Sequence, residues 1–112
     1  DQRGSPTYTL DLAAGIKELT DRPLVETESK IYHITNSGVC SWHDLACKAV
    51  EYAGIKGVKV KPIPTLELNP SRPALRPEMS ALDNSRYNRL IGRPLRPWSE
   101  ALKSYIMLDV NK

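Results

Sequence analysis

Five prolines, at positions 62, 64, 70, 73 and 77, crowd one short stretch of this 112-residue chain, out of nine in all. Proline donates no backbone hydrogen bond and holds φ fixed, so no regular helix or strand is expected to run through that stretch. It is also too long for a mere connection inside one compact domain, which makes it a candidate binding loop. What remains must build the core without a single Phe, and with only 6% aromatic residues. A single small domain, marginally stable alone, is therefore expected. An enzyme that works between a dinucleotide-binding domain and a substrate domain needs a considerably longer chain, so it could be present here only in part.

Local signals divide the rest into helices and short strands. Leu10, Ala13, Ala14, Ile16 and Leu19 form an apolar stripe at helical spacing, predicting a helix over about 9–20 that Asp21-Arg22-Pro23 ends. Ile31-Tyr32-His33-Ile34 reads as a strand closed by the turn Asn36-Ser37-Gly38. Ser41-Trp42-His43-Asp44 has capping-box spacing, and Leu45, Ala46, Ala49, Val50 and Ala53 follow as the apolar face of a helix that stops near Gly54. Val58 to Ile63 alternates apolar with basic or proline, as in an edge strand. Asp83 or Asn84 caps a short helix to Ile91 closed by Gly92, and Pro97 opens a last helix at its first position. The expected fold class is α/β: a small mixed domain of about four helices and two short strands.

The charge is uneven. Residues 1–57 carry six Lys/Arg against eight Asp/Glu, while residues 58–112 carry ten against five. That modest excess suits a small phosphorylated ligand at least as well as nucleic acid. Arg86, Arg89, Arg93 and Arg96 recur at near-helical spacing, but Gly92 and Pro94 interrupt them and no aromatic residues interleave for base stacking, so they read as a solvated face. Arg72 and Arg76 each precede a proline that stiffens the backbone beside the guanidinium, a suitable setting for a fork that grips a diphosphate. Cys40 and Cys47 read as reduced packing residues, with no zinc spacing. His33 and His43 take ordinary structural positions, and Trp42 and Trp98 read as core anchors at helix starts that could also edge a ligand pocket. No apolar run is long enough for a bilayer, and neither an initiator Met nor a signal peptide opens the sequence. A piece of a longer cytoplasmic protein is expected, with no membrane partner.

Tyr52 and Lys56 match the Tyr-x-x-x-Lys pair of short-chain dehydrogenases. That pair needs unbroken helix between its members, and Gly54 stands between them. No glycine-rich strand-to-helix turn is present to hold a dinucleotide. Tyr52 therefore reads as structural, and no catalytic or cofactor-binding residue is assigned.

Several segments together resemble the C-terminal part of the dTDP-4-dehydrorhamnose reductase family. They are Asp1 to Tyr8, Tyr32 to Gly38 with Ser41-Trp42-His43-Asp44, Pro62-Ile63-Pro64-Thr65, Arg76 to Asp83, and Pro97 to Leu102, in that order. The family belongs to the extended short-chain dehydrogenase/reductases. The resemblance implies that residues 1–112 are a nucleotide-sugar (substrate) binding domain, and that an N-terminal Rossmann domain binding NADPH lies upstream. The implied parent enzyme reduces dTDP-4-dehydro-L-rhamnose to dTDP-L-rhamnose, with the dTDP-sugar and its own Rossmann domain as partners and a homodimer as a further one.

The resemblance also implies site residues. Gly4, Pro6 and Thr7 belong to a segment close to the cleft, and Arg76 and Ser80 to the segment where related enzymes bind the diphosphate. Arg72, in the additional Arg72-Pro73 pair, is a second candidate for that contact. The acidic metal set of some members has no match here, so no metal ligand is assigned. Two other readings remain open within the superfamily. One is a non-catalytic subunit like the regulatory subunit of methionine adenosyltransferase; the other is a nucleotide-sugar epimerase or dehydratase.

Overall fold

A computed structural model describes residues 1–23, 31–68 and 74–110. Its elements are β1 (Arg3–Gly4), α1 (Thr9–Thr20), β2 (Cys40–Ser41), α2 (Trp42–Tyr52), α3 (Thr65–Leu68), α4 (Ser85–Ile91) and α5 (Trp98–Tyr105), which runs on into a π-type turn at Ile106–Val110. The mixed class and the helical majority agree with expectation.

The helices form where local signals put them. Ser41 closes the capping box of α2 in both directions: Asp44 N–H donates to Ser41 Oγ and Ser41 N–H to Asp44 Oδ2, each at 3.0 Å. Gly92 ends α4 with a φ of 89°, a left-handed conformation that glycine adopts without steric cost. Pro97 precedes α5 in an extended conformation, one position earlier than the sequence suggests.

The strands differ from expectation. Residues 31–34 pair with no strand, and neither do residues 58–63. Strands need partners, and at 31–34 the partners are side chains and loops: Arg86 donates to the Ile31 carbonyl at 2.8 Å, and His33 Nδ1 lies 3.2 Å from the Asp83 carbonyl. The two-stranded sheet is instead antiparallel β1–β2, with Arg3 opposite Ser41 and Gly4 opposite Cys40. Each strand has two residues, too few for alternation to show. Within the proline-rich stretch, α3 forms a single turn between Pro64 and Pro70 that the prolines were expected to forbid; residues 69–73 lie outside the described residues.

The core is small, with Tyr87, Ala101, Ile106, Cys40 and Ile91 buried beside Thr35 and Asn36. The side chains of Ile34 and of Tyr87 in α4 reach α1 at Gly15, which has no side chain; a Cβ there would stand 2.9 Å from Ile34 Cγ2 and 3.0 Å from the Tyr87 hydroxyl. Arg22 at the end of α1 donates to the Leu90 and Ile91 carbonyls, satisfying the C-terminus of α4. Much apolar surface stays uncovered, including Leu66, Leu75 and Leu82. The radius of gyration is 16.8 Å, against about 13 Å for a compact chain of this length.

Arg86, Arg89 and Arg93 are exposed, as a solvated face requires, whereas Arg96 is half-buried, and the series also makes ion pairs. Arg93 pairs with Glu18 of α1, and Arg96 grips Asp11 through two 2.8 Å hydrogen bonds while also donating to Ser104. The Arg96 guanidinium holds the Asp11 carboxyl below its usual range. A lowered folded pKa means that the pair's contribution is complete above the unfolded value of about 4 and fades as pH falls through the folded one. Asp11→Asn should therefore cost about 1–2 kcal/mol at pH 7, since Arg96 is itself partly exposed. Urea melts should show this difference from the wild type narrowing below about pH 4; a gap independent of pH would contradict the assignment.

Candidate substrate-binding cleft

Three chain segments meet at Arg3. Across β1–β2 it faces Ser41, and on its other side it bridges to Met79 in parallel. Arg3 N–H donates to the Glu78 carbonyl at 2.7 Å, and the Arg3 carbonyl accepts from Ser80 N–H at 2.8 Å and from the Ser80 hydroxyl at 3.1 Å. These bonds draw residues 78–80 alongside β1, although more than seventy positions separate them in sequence. Gly4 permits the approach, because a Cβ there would stand 2.9 Å from Ser80 Oγ.

The result is a cleft of about 220 Å³ walled by Gly4, Pro6 and Ser80 with Thr35, Trp42 and Leu82. Thr7 lies one cavity away, in a space of about 260 Å³ that shares Pro6 and Leu45 with the cleft. Its hydroxyl donates to the Ser5 carbonyl and accepts from Asn36 N–H, so Thr7 holds the bend of residues 5–8. Arg76 is exposed, two residues before the ordered 78–80 segment, and lines neither space. Arg72 lies outside the described residues. Four of the expected positions thus border two adjoining spaces, and Arg76 lines neither.

Trp42 edges the cleft, as expected of it, but does not anchor the core. Its place at a helix start suggests a core anchor. The indole is instead 65% exposed. Side chains at a helix start lean back beyond its first turn, so the indole extends past the end of α2. Trp98 does anchor as expected, half-buried with its Cδ1 at 3.1 Å from the point where a Cβ on Gly38 would stand.

The remaining candidates take structural roles. His43 Nε2 lies 3.3 Å from the Val60 carbonyl and 3.5 Å from Cys47 Sγ, tying the 58–63 segment to α2. Burial pushes the Cys40 thiol pKa up, which disfavours the reactive thiolate. α2 ends at Tyr52, Gly54 takes a φ of 66°, and the Tyr52 ring sits beneath the ammonium groups of Lys48 and Lys103. Tyr52 and Lys56 therefore share no helix. Among the described residues, no group of three or more His, Cys, Asp or Glu gathers as a metal site would, and no helix is long and apolar enough to cross a membrane.

Residues 1–110 match the protein family described as the RmlD substrate binding domain. The chain belongs to that family. It is 41% identical over 103 residues to a dTDP-4-dehydrorhamnose reductase of Streptomyces griseus, covering 91% of this chain and 33% of the relative. It is 38% identical over 106 residues to the spore coat polysaccharide biosynthesis protein SpsK of Bacillus subtilis, covering 95% and 34%. Among solved structures, a dTDP-4-dehydrorhamnose reductase from Clostridium acetobutylicum superposes with a TM-score of 0.80 at 40% identity, over 96% of this chain and 36% of that one. A second, from Bacillus anthracis in complex with NADP, gives 0.79 at 36% identity, over 97% and 36%. The chain thus spans about a third of the length of the curated relatives it matches.

Proposed function

We propose that this chain is the nucleotide-sugar binding domain of a cytoplasmic NADPH-dependent reductase that converts dTDP-4-dehydro-L-rhamnose to dTDP-L-rhamnose. The observation that carries the reading is the family match over residues 1–110, joined to a cleft in which Gly4, Pro6 and Ser80 meet. The small core, the uncovered leucines and the large radius of gyration support a domain that packs against the rest of a longer protein, a Rossmann domain. The described residues do not fit NADPH themselves. Their longest strands have two residues, and no glycine-rich turn leads from a strand into a helix to meet a pyrophosphate. This chain's work is accordingly to bind and orient the sugar nucleotide, and the reacting groups lie elsewhere in the protein.

In this reading Ser80 and the Gly4–Pro6 wall receive the sugar end, and Arg76 reaches the diphosphate. The diphosphate does not react, so its binding is largely equal in ground and transition states. Arg76→Ala in the full-length enzyme should raise KM for the dTDP-sugar about 10- to 150-fold with a smaller change in kcat, the size of a charge-assisted contact. Arg72→Ala is the control and should change KM less. Steady-state assays following NADPH consumption test both; a larger effect at Arg72 would reassign the contact, and no effect at either would remove this loop from the site. Absence of turnover with dTDP-4-dehydro-L-rhamnose in the unsubstituted enzyme would refute the function itself.

A further inference from the structure

Trp42 is the most conspicuous exposed aromatic side chain of the described residues, and its backbone is firmly held. Ser41, just before it, pairs with Arg3 across the sheet and closes both bonds of the capping box. The backbone beneath the exposed indole is thus fixed, so side-chain rotation is the main freedom lost when a ligand meets it.

Two cavities meet at this residue. One is the 220 Å³ cleft of Gly4, Pro6 and Ser80; the other, about 560 Å³, shares only Ser41 and Trp42 with it. The larger cavity is walled by Pro62, Ile63 and Pro64 across from the start of α2, with Gln2 and Lys61 also lining it. Its wall is tied down. Thr65 N–H donates to both carboxylate oxygens of Asp1, at 3.1 and 3.0 Å, the Thr65 hydroxyl donates to Asp1, and Gln2 Nε2 donates to the Thr65 hydroxyl at 3.2 Å. His43 secures the Val60 end.

The two spaces have similar shares of polar surface and differ in size and in their apolar walls. Ser5, Thr35 and Ser80 line the smaller cleft; Thr35 Oγ1 already accepts from Asn84 and the Ser80 hydroxyl donates to the Arg3 carbonyl, and each oxygen keeps a lone pair for a hydroxyl of a sugar. The larger cavity offers an indole face and a proline–isoleucine wall, which suit a flat ring with apolar faces and a polar edge. Resting on the reading of this chain as a nucleotide-sugar domain, we infer that Trp42 stacks the nucleobase of the substrate in the larger cavity. Trp42 then divides the site, with the base on the proline side and the sugar in the cleft of Gly4, Pro6 and Ser80.

The test is calorimetric binding of dTDP to the full-length protein and its Trp42→Ala, Trp42→Leu and Trp42→Phe variants, with inhibition of turnover by pyrophosphate as the base-free probe. Stacking of a base on an aromatic side chain corresponds to about 5- to 150-fold in affinity. Trp42→Ala and Trp42→Leu should both weaken dTDP by that factor. Trp42→Phe, which retains a ring face, should stay within about threefold. Inhibition by pyrophosphate should not change. The leucine variant keeps apolar bulk in the cavity, so its loss of affinity separates stacking from collapse of the wall. Retention of dTDP affinity within twofold in the leucine variant overturns the inference, as does an equal weakening of pyrophosphate. A wild-type protein that binds no dTDP overturns the nucleotide-sugar reading as well, whereas tight binding that is indifferent to Trp42 overturns only the stacking.

Discussion

Asn36→Ala should destabilise the fold by about 2–4 kcal/mol, because it removes a fully buried amide together with the hydrogen bonds it makes to three other residues. Asn36 is completely buried. Its Nδ2 donates to Asp11 Oδ2 at 2.7 Å and to the Arg96 carbonyl at 3.1 Å, and its Oδ1 accepts from Tyr8 N–H at 2.9 Å. One side chain thus joins the start of α1 to the segment that leads into α5. Alanine would remove the bond to the Tyr8 N–H and weaken the hold on the Asp11 carboxylate that Arg96 also grips. Asn36→Asp keeps the shape but sets a second carboxylate against Asp11, so at pH 7 it should be at least as damaging and should recover in part as the medium is acidified. Urea denaturation at pH 7 and pH 4 reads both effects. A loss below about 1 kcal/mol for the alanine variant would mean that water replaces the amide freely.

Gly15→Val should cost about 2–4 kcal/mol, the scale of overpacking by a branched side chain where Ile34 and Tyr87 already fill the space. For an exposed helical glycine the expected sign is the opposite for alanine, a gain of about 1 kcal/mol from propensity. Gly15 is buried, and its absent Cβ is what lets Ile34 and the Tyr87 hydroxyl come within 2.9 and 3.0 Å of that point. Tyr87 itself is 1% exposed and has little room to retreat. Gly15→Ala should therefore destabilise despite its better helix propensity. Adding Tyr87→Phe removes the hydroxyl that alanine meets, so the double variant should be more stable than the sum of the single changes predicts. Thermal melts of the four proteins close this cycle; strict additivity would show that α1 is held off Tyr87 by something else.

Local chemistry by itself determined the helices. α1, α2 and α4 begin and end within a residue or two of where apolar spacing, the Ser41–Asp44 box and Gly92 put them, because caps and i, i+4 stripes act within a single turn. The order of five segments also identified the family before any contact was known, since membership is carried by sequence itself. Tertiary structure decided what depends on distant partners. Ile31 to Ile34 has the composition of a strand but no strand pairs with it, while Arg3 and Gly4 become a strand because Ser41 and Cys40 come to meet them. The Arg96–Asp11 clamp joins positions 85 apart, and the meeting of Gly4 with Ser80 spans nearly as many. No periodicity reports such pairs. The exposure of Trp42 was hidden for the same reason: a place at a helix start suggests a core anchor, but only the assembled elements decide what covers it.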